Sequence, residues 1–97
     1  MGARHIAWLK FKPEVSSAQM EAHMERCRAL AGAVPVVQNL ECGASYTDRA
    51  RGFTHAIIVS LASRETLPDY LNHPAHIPVG EALKADLADL LVMDIEV

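Results

Sequence analysis

The sequence predicts one α+β domain spanning residues 1–97, an antiparallel sheet of four strands with helices on one of its faces. Three observations carry the prediction. Four stretches alternate at the two-residue period of a strand, the segments between them recur at helical spacing, and the elements fall in the order β-α-β-β-α-β. About half of the 97 residues are apolar, 51%, which suffices for a core and argues against disorder.

His5 to Phe11 sets His5, Ala7, Leu9 and Phe11 on one face and Ile6, Trp8 and Lys10 on the other, a strand apolar on both sides. Pro13 breaks it. Ser16 followed by Gln19 fits a capping box, after which Met20, Met24, Cys27, Leu30 and Ala31 recur at helical spacing. Gly32 is a natural stop for this helix, and Pro35 marks the exit.

A second strand is expected from Val37 to Tyr46, interrupted by Gly43, and the polar stretch Asp48 to Gly52 reads as a hairpin turn. Phe53 to Leu61 is the strongest strand, with Phe53, His55, Ile57, Val59 and Leu61 on one face and Thr54, Ala56, Ile58 and Ser60 on the other. Ser63 can cap a short helix running to about Leu71. After His76 and Pro78, Glu81 to Leu90 suits another short helix. Leu91 to Val97 alternates again and closes the chain as a strand.

This order is the split βαβ, ferredoxin-like arrangement. Its helices cover one side of the sheet, yet Ile6, Trp8, Ala56 and Ile58 make the other side apolar too. An uncovered face of that kind marks an association site, and a symmetric dimer with the same face of a second copy is its expected cover.

Charge excludes other partners. Nine basic residues against twelve acidic ones, a formal −3, form no basic block, so nucleic acid is not expected. No apolar run is long enough to span a bilayer. Met1 to Lys12 does not read as a signal peptide, and a cytoplasmic location is expected. Cys27 and Cys42 form no CxxC and read as core filler.

The stretch Asp69-Tyr70-Leu71-Asn72-His73-Pro74-Ala75-His76 carries the chemistry. It holds two imidazoles and a phenol in a chain with five histidines and two tyrosines. Imidazole titrates near neutrality, and a phenol beside it makes an acid/base pair. The competing reading is a helix stop with exposed histidines.

Together with His5-Ile6-Ala7-Trp8-Leu9-Lys10-Phe11-Lys12 and Gly52-Phe53-Thr54-His55, this stretch resembles the stress-responsive α/β-barrel (Dabb) family over nearly the whole chain. The resemblance implies a homodimeric α+β barrel of ferredoxin-like protomers. Many members have no established activity, and the best understood are cofactor-free polyketide cyclases using a histidine and a tyrosine. Carried over by position, His76 is the acid/base group and Tyr70 its phenolic partner, binding or polarising a carbonyl oxygen.

His5 and His55 then stand beside the cavity, with Ala7, Leu9, Ile57 and His73. Where those cyclases carry aromatic or bulkier walls, this chain has His23, Met24 and Cys27, and likewise Ala7 and Leu87. The polyketide substrate is therefore not carried over.

Placing the third strand's start near the His73–His76 turn brings His55 to that turn, either orienting His76 or resting as a core histidine. His5 is expected toward the opposite end, on the order of 10 Å away, as a half-buried strand-end histidine. That separation argues against a metal, and neither metal nor cofactor is expected. Two functions stand side by side: cofactor-free proton transfer on a small apolar or carbonyl ligand, and a non-catalytic dimeric binder or structural stress protein.

Overall fold

β1 (Ala3–Phe11) and β3 (His55–Leu61) form the middle of the sheet, flanked by β2 (Val37–Ala44) and β4 (Leu87–Glu96) in the order β2-β3-β1-β4, all neighbours antiparallel. The structure is a computed structural model and describes residues 1–97. α1 (Ser17–Ala33), the short α2 (Leu67–Leu71) and α3 (His76–Ala85) complete the ferredoxin-like βαββαβ order, with a 3-10 turn at Arg64–Thr66 ahead of α2. No helix is long and apolar enough to cross a membrane.

Local chemistry explains α1 well. The Ser16 hydroxyl accepts from the Gln19 N–H, and the Gln19 side chain accepts from the Ser16 N–H at 2.7 Å, a complete capping box. The buried stripe is His23, Met24, Cys27 and Leu30. It packs on β-sheet residues Leu9, Val59 and Leu61, which are among the side chains removed from solvent altogether.

Several boundaries depart from the sequence expectation. β2 ends at Ala44 rather than Tyr46, whose side chain is 99% exposed. β3 begins at His55, and Phe53 leaves the expected face: its ring lies 6.2 Å from that of Trp8, which is on the opposite side. The hairpin there is wide, with Arg51 at φ 54° and Gly52 at φ 91°, so the strand alternation does not continue through it.

The third helix runs over His76–Ala85 rather than Glu81–Leu90, and β4 starts at Leu87. Pro78 does not delay the helix, because it falls in the first turn, where an amide hydrogen has no partner to lose. Leu87 and Leu90 are strand residues paired with Phe11 and Leu9.

Register sorts the sheet into two faces. Ile6 pairs with Ile58 and Met93, and Trp8 with Ala56 and Leu91, so these side chains share the face away from the helices. That face is open: Trp8 is 45% and Met93 66% exposed, with Leu91 and Ile95 exposed beside them.

Candidate functional site

The site grows from the link between α2 and α3. Pro68 occupies the first turn of α2 and Tyr70 turns into the core, only 3% exposed. The chain then reverses through His73. Its N–H donates to the Tyr70 carbonyl (3.3 Å), and its own carbonyl accepts from the N–H groups of His76 (2.9 Å) and Ile77 (3.1 Å). Its ring Nδ1 accepts from the Ala75 N–H at 3.0 Å. His73 thus builds the turn and, contrary to expectation, does not line the cavity below.

The turn delivers His76 as the first residue of α3. Its Nδ1–H donates to the Leu71 carbonyl at 3.0 Å. A carbonyl can only accept, so Nδ1 carries the proton and Nε2 keeps its lone pair on the neutral ring. Burial pulls the His76 pKa below the ordinary imidazole value. The Leu71 hydrogen bond opposes this, while His5 and Lys84 add to the lowering.

The Tyr70 and His76 ring centroids are 4.5 Å apart, and those of His5 and Tyr70 5.8 Å. Burial pushes the phenol well above its usual range, so at neutral pH it is a hydrogen-bond donor and not a base. No protein group bonds its hydroxyl, and that oxygen is not sealed from solvent. His5 Nδ1 in turn lies 2.5 Å from the Asp94 carboxylate, which can only accept; Nδ1–H is again the donor.

These groups stand at the wall of a cavity of about 280 Å³ between the sheet and the helices. Ala7, Leu9, Ile57 and Leu87 line its sheet side, Cys27 its α1 side, and Val79 and Leu83 its α3 side. Burial raises the Cys27 thiol to about 11, so it is wall and not nucleophile. A neighbouring hollow of about 340 Å³ shares His5 and Asp94 but is rimmed by Arg4, Arg64 and Glu96 and reaches neither Tyr70 nor His76. This cavity is the one that combines a mostly apolar wall with the titratable groups.

The two strand histidines exchange the places expected of them. His55 pairs with Leu9 while His5 pairs with Val59. Four residues of strand, about 13 Å, separate those levels. From Leu61 the chain passes through the compact 3-10 turn at Arg64–Thr66 into α2, whose five residues span only about 7.5 Å. The turn therefore stays over the end of the sheet where β1 begins, beside His5. His55 lies at the far end, edge-on to Phe11 at 5.2 Å, its Nδ1 2.8 Å from the Thr54 hydroxyl, and it lines a different hollow with Trp8 and Phe53. Burial lowers its pKa, with Glu21 opposing.

His23 and Met24 do not line the cavity either. His23 is 3% exposed and stacked on Phe11, with Nε2 2.7 Å from the Asp86 carboxylate and Nδ1 2.8 Å from the Arg26 guanidinium. A carboxylate needs a donor and a guanidinium an acceptor, so both ring nitrogens are taken. Met24 is packed in the core without exposure. The phase of α1 directs Cys27, one turn on, to the cavity instead.

Sequence reasoning missed Asp94, Lys84, Gly80 and the Leu71 carbonyl, all at or against this cavity. An aspartate alternating with Val92 in an apolar strand was a legible signal for the first. The carbonyl leaves no trace in residue identity. No three His, Cys, Asp or Glu side chains are grouped to hold a metal ion.

Comparisons with known proteins agree with this architecture. The family model for the Stress responsive A/B Barrel Domain matches residues 3–97. Olivetolic acid cyclase of Cannabis sativa is 32% identical over 96 residues, covering 97% of this chain and 95% of that protein. A solved structure from Thermobifida fusca, described as a dimeric ferredoxin-like protein of unknown function, has a TM-score of 0.89 at 26% identity, covering 100% of this chain and 92% of its own. Hydroxynitrile lyase from Passiflora edulis has a TM-score of 0.91 at 20% identity, covering 99% of this chain and 93% of its own, a likeness of fold.

Proposed function

The chain belongs to the stress responsive A/B barrel domain family, and from that premise we propose a homodimer whose protomers each bind a small carbonyl compound and transfer protons on it without a cofactor. The observation that carries this reading is the contact of Tyr70 and His76, ring centroids 4.5 Å apart, at the wall of one apolar cavity. The plant relative's name, a cyclase, supports the reaction class. The dimeric Thermobifida neighbour and the open apolar sheet face support the assembly.

The chemistry follows from protonation states. Neutral His76 offers Nε2 to a carbon-bound proton beside a carbonyl. The protonated Tyr70 hydroxyl donates to that carbonyl oxygen and stabilises the negative charge that develops on it. The enolate carbon attacks a second carbonyl carbon of the same molecule and forms the ring bond. The imidazolium then returns its proton to the new alkoxide. This aldol-type closure is an isomerisation and requires no co-reactant. His5, held by Asp94 and 5.8 Å from the phenol ring, orients the substrate. The apolar walls exclude water that would compete for the enolate.

Ligand-dependent thermal shift tests the reading, using aromatic and linear poly-carbonyl compounds against wild type and His76→Ala. The expected outcome is a shift in wild type that is reduced in the variant, with turnover of at least one linear compound. Equal shifts in both proteins, or none in either, would sink the site. A shift without turnover would leave a ligand binder that performs no reaction.

A further inference from the structure

Gly80 sits four residues after His76 in the second turn of α3. Nothing in its backbone asks for glycine, since Gly52 is the glycine with positive φ in this chain. An interior helical glycine is less stable than alanine there. The space above it explains the choice. A Cβ at Gly80 would meet, as its three nearest atoms, the Cε1, Nε2 and Nδ1 of His76 at 3.3, 3.7 and 3.8 Å. By contrast, a Cβ at Gly32 of α1 would meet nothing within 4 Å.

We propose that Gly80 is a positioning residue for His76, its missing side chain being the seat on which the imidazole lies. Helical side chains lean toward the N-terminus, so a Cβ at i+4 presses on the side chain at i. The ring cannot simply retreat. Tyr70 stands 4.5 Å away, and the Leu71 carbonyl holds Nδ1 at 3.0 Å. A methyl group at position 80 therefore makes the imidazole give by a few tenths of an ångström, which moves Nε2 and strains the bond to the Leu71 carbonyl. The functional weight of this residue rests on the reading of His76 given above, but its first test needs no ligand.

The test is a double-mutant cycle of Gly80→Ala and His76→Ala, followed by thermal unfolding, with the His76 imidazole titration of Gly80→Ala read by NMR. In the His76→Ala background, Gly80→Ala should raise Tm by roughly 2–8 °C, as relief of a helical glycine does. With the imidazole present the gain should shrink or reverse, and the His76 titration should shift, downward where the ring leaves the Leu71 carbonyl, because that hydrogen bond holds it up. An equal Tm gain in both backgrounds, or an unchanged titration in Gly80→Ala, overturns the proposal. If the cycle shows coupling while no carbonyl compound binds, the positioning role stands and the proposed reaction falls.

Discussion

Replacing Tyr70 with phenylalanine separates the chemistry of this cavity from its packing. The ring is almost wholly buried, yet its hydroxyl has no hydrogen-bond partner in the protein. Losing a paired hydroxyl costs about 0.5–1.5 kcal/mol. Here no such bond is lost and the apolar ring stays in place, so stability should hold within about 0.5 kcal/mol, or ~4 °C of Tm in a domain of this size. Tyr70→Ala, which empties the ring's volume, should cost ~3–5 kcal/mol. Function should follow a different order. If the phenol is the donor to a developing oxyanion, Tyr70→Phe should lower turnover by ~10²–10³-fold. Thermal melts together with turnover of any compound identified by thermal shift provide the assay. A Tyr70→Phe protein that melts more than 10 °C early, on the order of 1.5–2 kcal/mol, would show that the hydroxyl is structurally bonded; one that turns over as wild type would remove it from the mechanism.

Other perturbations read separate parts of the molecule. His76 and His55 both have pKa values lowered by the fold, so the unfolded chain binds more protons than the folded one between their folded values and the ordinary histidine value. Stability should therefore be full above that ordinary value and fall as pH drops through the window, with His76→Ala flattening the slope in urea titrations at several pH values; a wild-type slope retained in His76→Ala would refute its part. Trp8→Glu places a carboxylate at the centre of the open sheet face and should yield monomers by sedimentation at micromolar concentration, with the melting curve of the folded protomer retained. A wild-type protein that sediments as a monomer would remove the dimer from the proposal. His23→Ala strips Asp86 and Arg26 of their common partner and leaves a void under Phe11. It should cost ~2–3 kcal/mol in urea unfolding, and a loss below ~1 kcal/mol would show the relay to be ornamental.

How far residue order alone reaches is clearest at individual positions. The capping box at Ser16 and Gln19, the alternation of β1 and the apolar second face around Trp8 and Ile58 are local or periodic signals, and the structure carries each of them. The pairing of Tyr70 with His76 was legible as proximity along the chain. Pro78 misled because a proline marks both a helix's end and its first turn, and residue identity does not distinguish them. Phe53 misleads because strand alternation does not continue through a hairpin with positive φ angles at Arg51 and Gly52.

The amino-acid order by itself determined the element sequence and the double-sided apolar sheet, because periodicity and capping act within a few residues, and three short segments carried the family resemblance. Tertiary structure decided which strand histidine, His5 and not His55, joins the phenol. That depended on how far a five-residue helix carries the chain back across the sheet and on the register that sets His5 opposite Asp94, distances that accumulate over many residues and are written in no single motif.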